Sequence, residues 1–198
     1  MLSSMLSDFW LLFATIDPFS TLILFLGITR NLDRKARRML AVKAVLYATV
    51  ILIIFLAFGQ LFLEMIGVRL VAFQIAGSII LFLFGLQMFF IPSHETEQEV
   101  EKVREMAIFP LAIPSLASPG SLLAVILATE NSKHPFFEQA VTGLIMLLVL
   151  AITLIMLLAA QTMHRVLGRT GEKIMVRLSG LILASLAAEF FLEALPQI

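Results

Sequence analysis

The chain has 198 residues, 60% of them hydrophobic, and a mean hydropathy of +1.02. A soluble domain of this size cannot hide so much apolar surface, which leaves a polytopic membrane protein. With 14 basic and 14 acidic residues there is no electrostatic footprint for nucleic acid, and the lack of cysteine excludes disulfides, thiol catalysis and cysteine-ligated metal centres.

The first apolar run, residues 9–29, is interrupted by Asp17 and Pro18. It has no basic leader and no small-residue cleavage site, so it is expected to stay as a membrane segment, with Trp10 as an interfacial anchor. Four charge-free runs follow: Leu46–Leu63, Leu70–Ile91, Met106–Thr129 and Gln139–Met163. Each is close to the length a bilayer core requires. A sixth span, 174–195, is trimmed by Arg177, Glu189 and Glu193. The expected fold is therefore all-α, with six transmembrane helices.

Polar residues outside and inside these runs have ordinary readings first. Ser93–Glu105 is the long polar segment, read as a solvated linker. His94, His134 and His164 sit at spacings that bring no two onto one helix face, so no metal site and no cofactor are expected. Glu189 and Glu193, one turn apart, fit a solvated helix end better than acid–base catalysis, and no nucleophile with a partnered base points to an enzyme. Gln74 and Gln87 either bond across helices or line a path. Small residues at four-residue spacing, Ala72 and Ala76 in the third span and Gly180, Ala184 and Ala188 in the sixth, suit close helix packing.

Basic residues set the orientation. Arg30, Arg34, Lys35, Arg37, Arg38 and Lys43 crowd the first connection, Lys102 and Arg104 the third, and Arg165, Arg169, Lys173 and Arg177 the fifth; only Arg69 and Lys133 fall on the other side. The positive-inside rule makes the crowded side cytoplasmic and puts both termini outside.

Shifted by 101 positions, Pro18 falls on Pro119, Ser20 on Ser121, Gln60 on Gln161 and Ile66-Gly67 on Leu167-Gly168. Three spans per repeat force opposite orientations, so residues 1–92 and 106–198 are expected to be inverted three-helix repeats joined by the cytoplasmic linker 93–105.

The proline motifs then mark a site. In Asp17-Pro18-Phe19-Ser20 and Ser118-Pro119-Gly120-Ser121 a capping residue precedes a proline at the first helical position, inside a stretch that should cross the membrane. Broken helices at matching positions of two halves point to a transporter's binding site. The expected substrate-binding residues are Asp17, Pro18, Ser20, Thr21, Pro114, Ser118, Pro119, Gly120 and Ser121. Half-helix amides suit a carboxylate, the hydroxyls add donors and acceptors, and Asp17 suits an ammonium or a coupling proton. Asp17 also reads as a plain N-cap.

In order, Asp17-Pro18 with its apolar run to Thr29, the basic start of the second span, Phe73-Gln74-Ile75-Ala76-Gly77, Phe109-Pro110-Leu111-Ala112-Ile113-Pro114 and Ser118-Pro119-Gly120 resemble the MarC family of inner-membrane proteins. The resemblance implies a six-span protein with paired proline-broken helices; some relatives move glycine and alanine with protons or sodium. Ser20, Thr21, Ile23 and Ser118 depart from the family's usual glycine, asparagine, proline and glycine. The expected function is a secondary transporter of small neutral amino acids in the cell membrane, its partners being the substrate, the lipid bilayer and a coupling proton or sodium ion. The alternative is a channel or a non-transporting membrane protein.

Overall fold

The computed structural model describes residues 2–29, 32–90, 107–129 and 136–197. Arg30, Lys102, Arg104, Lys133, His94, His134 and the polar linker lie outside them. The regular elements of the described residues are all helical: α1 (Leu2–Ile16), α2 (Pro18–Ile28), α3 (Arg34–Met65), α4 (Leu70–Phe90), a π-helical segment (Ala107–Leu116), α5 (Pro119–Ala128), α6 (Phe136–Leu158), α7 (Ala160–Ala194) and a terminal 3-10 turn (Leu195–Gln197).

Local chemistry fixes the boundaries. Asp33, in extended conformation, accepts the Ala36 N–H at 2.9 Å and starts α3 well before the apolar run that marks the second span. Thr29 and Thr129 follow the last residues of α2 and α5, and each hydroxyl donates back to the carbonyl four residues earlier at 2.7 Å. The fifth apolar run does not continue unbroken to Met163, because α6 ends at Leu158 and Ala159 is a turn. Within α7 the backbone leaves helical geometry at Gly168 (φ 62), a conformation glycine adopts without steric cost.

Five helical stretches are long and apolar enough to cross a membrane: Ser4–Ile28, Arg34–Met65, Leu70–Phe90, Phe137–Leu158 and Lys173–Ala194. The region of the expected fourth span is not a single α-helix. Pro110 and Pro114 remove two amide donors, and the ladder there widens to a π pattern, with the Ala117 N–H bonded to the Ala112 carbonyl at 2.8 Å. The chain then leaves helical geometry and restarts at Pro119 as the short apolar helix α5.

The most extensive packing is α4 against α7. The small-residue stripe on α4 differs from the expected one: Ala72 and Ala76 are exposed, while Gln74, Gly77, Ser78, Leu81 and Gly85 are buried. On α7, Gly180 and Ala184 are buried but Ala188 is exposed, Ala187 taking the inner place. The close backbone approach at Gly85 sets this face. A Cβ at Gly85 would stand 2.7 Å from the Ala184 nitrogen, and one at Gly180 would stand 2.6 Å from the Gly85 carbonyl oxygen. The core gathers Leu12, Ile16 and Phe25 of the first broken stretch with Leu111, Leu116 and Leu123 of the second. Outward-facing positions such as Phe58, Leu83, Leu144, Ile155 and Leu181 stay exposed, as lipid contact allows.

Candidate functional site

At the first break α1 ends at Ile16, Asp17 takes a left-handed conformation (φ 47, ψ 73), and Pro18 opens α2. The Asp17 N–H still bonds to the Phe13 carbonyl at 3.1 Å, and the Asp17 carbonyl receives the Thr21 N–H at 3.2 Å. Asp17 is thus shared by both ladders. Its Oδ1 accepts the Ser20 N–H at 3.3 Å, and the Phe19 N–H also faces the carboxyl. Its Oδ2 is shut off from solvent without a hydrogen-bond partner, and so is the Ser20 hydroxyl. The Ser179 side chain of α7 stands beside the same carboxyl.

The second break is closed on itself. Ser118 is extended and accepts the Ser121 N–H at 3.0 Å. The Ser121 hydroxyl lies 2.9 Å from the Leu116 carbonyl and 3.0 Å from its own cap's carbonyl, so its single proton is used locally.

The two breaks meet. The Ser118 hydroxyl donates to the Thr15 carbonyl at 3.2 Å, across 103 positions of sequence. That carbonyl lies in the last turn of α1, where the helix leaves acceptors open. The Thr21 and Ser115 hydroxyls are 2.8 Å apart, joining α2 to the π-helical segment. Asp17, Pro18, Thr21, Ser118, Gly120 and Ser121 are buried around this junction, with Ser20 and Pro119 half-buried.

Two of the expected site residues are placed otherwise. Pro114 is exposed on the outer side of the π-helical segment. Gly120 is covered by Leu81 of α4, which a Cβ there would strike, so its small size serves helix packing. Three residues complete the junction without having been marked in advance: Thr15, Ser115 and Ser179. A serine beside glycine in an apolar span was the available signal for Ser179. Thr15 acts through its backbone, which no side-chain pattern reveals.

The other polar side chains of the spans are accounted for. Gln74 donates to the Phe190 carbonyl at 2.9 Å, a bond between α4 and α7. Gln60 reaches the Ile126 and Thr129 carbonyls at 3.3 and 3.1 Å, at the end of α5. Gln87 and Trp10 are exposed. Glu189 and Glu193 line a cavity of about 860 Å³ with Asp8, Trp10 and Gln74. A second cavity, at the other ends of α3 and α7, is lined by Arg34, Arg37 and Arg38 with Gln161. Among the described residues no group of three histidine or carboxylate side chains is placed to hold a metal ion.

Comparison with known proteins covers the whole of this architecture. The chain is 34% identical over 189 residues to a UPF0056 membrane protein of Methanocaldococcus jannaschii, covering 93% of this chain and 92% of that one. It is 30% identical over 185 residues to the UPF0056 inner membrane protein YhgN of Escherichia coli, with the same coverage of 93% and 92%. A UPF0056 membrane protein of Buchnera aphidicola is 29% identical over 194 residues, 98% of this chain and 97% of its own. No solved structure matches. The model of the MarC family of integral membrane proteins matches residues 2–198, and the chain belongs to that family.

Proposed function

We propose that this protein is a secondary transporter of small neutral amino acids, working by alternating access to the first helix break. One observation carries the proposal: Asp17 is 6% exposed, yet its Oδ2 has no partner. A carboxylate in a membrane-spanning stretch is costly unless it meets a counter-charge, and such residues mark ion or substrate paths. A proton, a sodium ion or a substrate ammonium supplies that charge.

The arrangement of amides narrows the pose. The first-turn N–H groups of α2 already face the Asp17 carboxyl. The substrate's ammonium therefore belongs at Oδ2, and its carboxylate belongs with the Ser20 and Ser179 hydroxyls rather than at the helix amides. Ser118, Pro119 and Ser121 belong to the support of this site, and Asp17 is both cap and coupling residue.

The same proposal includes two inverted three-helix halves, 1–92 and 106–198, six crossings of a cytoplasmic (inner) membrane, a cytoplasmic linker 93–105 and termini outside. Its support is the matched pair of breaks with their similar short helices, α2 and α5, each followed by a threonine that bonds backward. The arginine-lined ends of α3 and the turn after α6 also share one end of the molecule, as the charge rule asks.

The test is uptake of labelled glycine and alanine into liposomes holding the purified protein, under imposed proton or sodium gradients. Gradient-driven accumulation by the native protein, absent in Asp17→Asn, is expected. No uptake of either amino acid under any gradient overturns the substrate class.

A further inference from the structure

The arginine-lined cavity at the start of α3 shares no lining residue with the helix breaks and plays no part in the transport reading. Its volume is about 430 Å³, and its walls are Arg34, Arg37 and Arg38 on one side and Leu158, Gln161 and Thr162 on the other. A basic loop that only orients the protein needs charge near the membrane; it needs no cavity and no enclosed donors. Here the Arg37 Nε is shut off from solvent and has no hydrogen-bond partner, although another nitrogen of the same guanidinium donates to the Leu32 carbonyl at 2.9 Å. Asp33, next in sequence, accepts the Ala36 N–H as a helix cap. Among the described residues none of the three arginines makes an ion pair with a carboxylate. The cations also sit in the first turns of α3, where the helix dipole repels them and attracts an anion.

We infer that this cavity binds a phosphate group. Three arginine side chains line one space without a carboxylate among the lining residues, and the planar guanidinium fork is well matched to phosphate oxygens. The opposite wall shows where such a group comes from: exposed Leu158 closes the apolar run of α6, and exposed Gln161 and Thr162 follow it at once. Apolar surface beside cationic donors at a helix end is the setting of a phospholipid headgroup. A soluble phosphorylated compound would use the same donors.

The experiment uses the full-length protein, stripped of lipid in a neutral detergent. Retention of phosphatidylglycerol against phosphatidylcholine is counted by native mass spectrometry, and binding of inorganic phosphate is measured separately by calorimetry. Selective retention of phosphatidylglycerol is expected. Arg37→Gln should weaken it about tenfold, the loss of one charge-assisted hydrogen bond. Gln161→Trp fills the space without changing charge and should abolish binding even if the arginine variant folds poorly. Lys35→Gln/Lys43→Gln removes charge from the same helix outside the cavity and should leave binding unchanged. Inorganic phosphate binding that competes with the lipid supports the site and assigns it to a soluble ligand. Binding of neither probe, unchanged binding in Gln161→Trp, or equal losses in the lysine and arginine variants overturns the inference.

Discussion

The two oxygens of Asp17 are unequal. Oδ1 caps α2, while Oδ2 makes no hydrogen bond, although the Ser20 and Ser179 side chains stand beside the carboxyl. Asparagine keeps the cap and tolerates the left-handed backbone, so Asp17→Asn should unfold close to the native temperature while losing coupled transport. Asp17→Ala loses the cap and the local side-chain hydrogen bonding that lets aspartate tolerate a left-handed backbone. It should lose about 2 kcal/mol of stability, read as a lower thermal midpoint through Trp10 fluorescence. The serines separate in the same way. Ser118 joins the two breaks through the Ser121 N–H and the Thr15 carbonyl, so Ser118→Ala should cost about 1–2 kcal/mol. The Ser20 hydroxyl stands beside the Asp17 carboxyl without a hydrogen bond of good geometry. Ser20→Ala should therefore leave the midpoint unchanged and raise the substrate concentration needed for half-maximal uptake.

At the level of elements, α4 and α7 meet glycine against glycine, backbone to backbone. Gly180→Ala should destabilise by about 1–3 kcal/mol through forced separation of the two backbones, whereas Gly27→Ala, with open space around it, should be neutral in the same thermal scan. The sequence announced most helices, because long apolar runs and capping residues act locally. Asp17-Pro18 and Ser118-Pro119 foretold where helices restart for the same reason. What it did not announce depends on partners distant in the chain. Ala72 and Ala76 have the spacing of a packing stripe, but the Gly85 contact turns a neighbouring face inward. The π pattern before Ala117 needs two prolines acting on one ladder, an effect no single-residue propensity carries. Ser118 reads as a cap in sequence and is one, but its bond to the Thr15 carbonyl, the use of the Ser121 hydroxyl on the Leu116 carbonyl and the lack of one for Ser20 depend on fold neighbours.

For the whole molecule, the two breaks form one junction with unequal members: Ser118 and Ser121 donate their hydroxyl protons to backbone carbonyls, while Asp17 Oδ2 is enclosed without a hydrogen bond. Hydroxyl contacts such as Thr21 with Ser115 add to the shared apolar core of Leu12, Ile16, Phe25, Leu111, Leu116 and Leu123 in tying the breaks together. The direct test of alternating access is labelling of Ser20→Cys, the single cysteine in a chain that otherwise has none. In sealed vesicles of defined orientation, a membrane-impermeant thiol reagent is applied from either side, with and without glycine or alanine. Alternating access requires labelling from each side, shifted in opposite directions by the imposed gradient and blocked by the amino acid. Labelling from one side alone under every gradient, or simultaneous unprotected labelling from both, would contradict it.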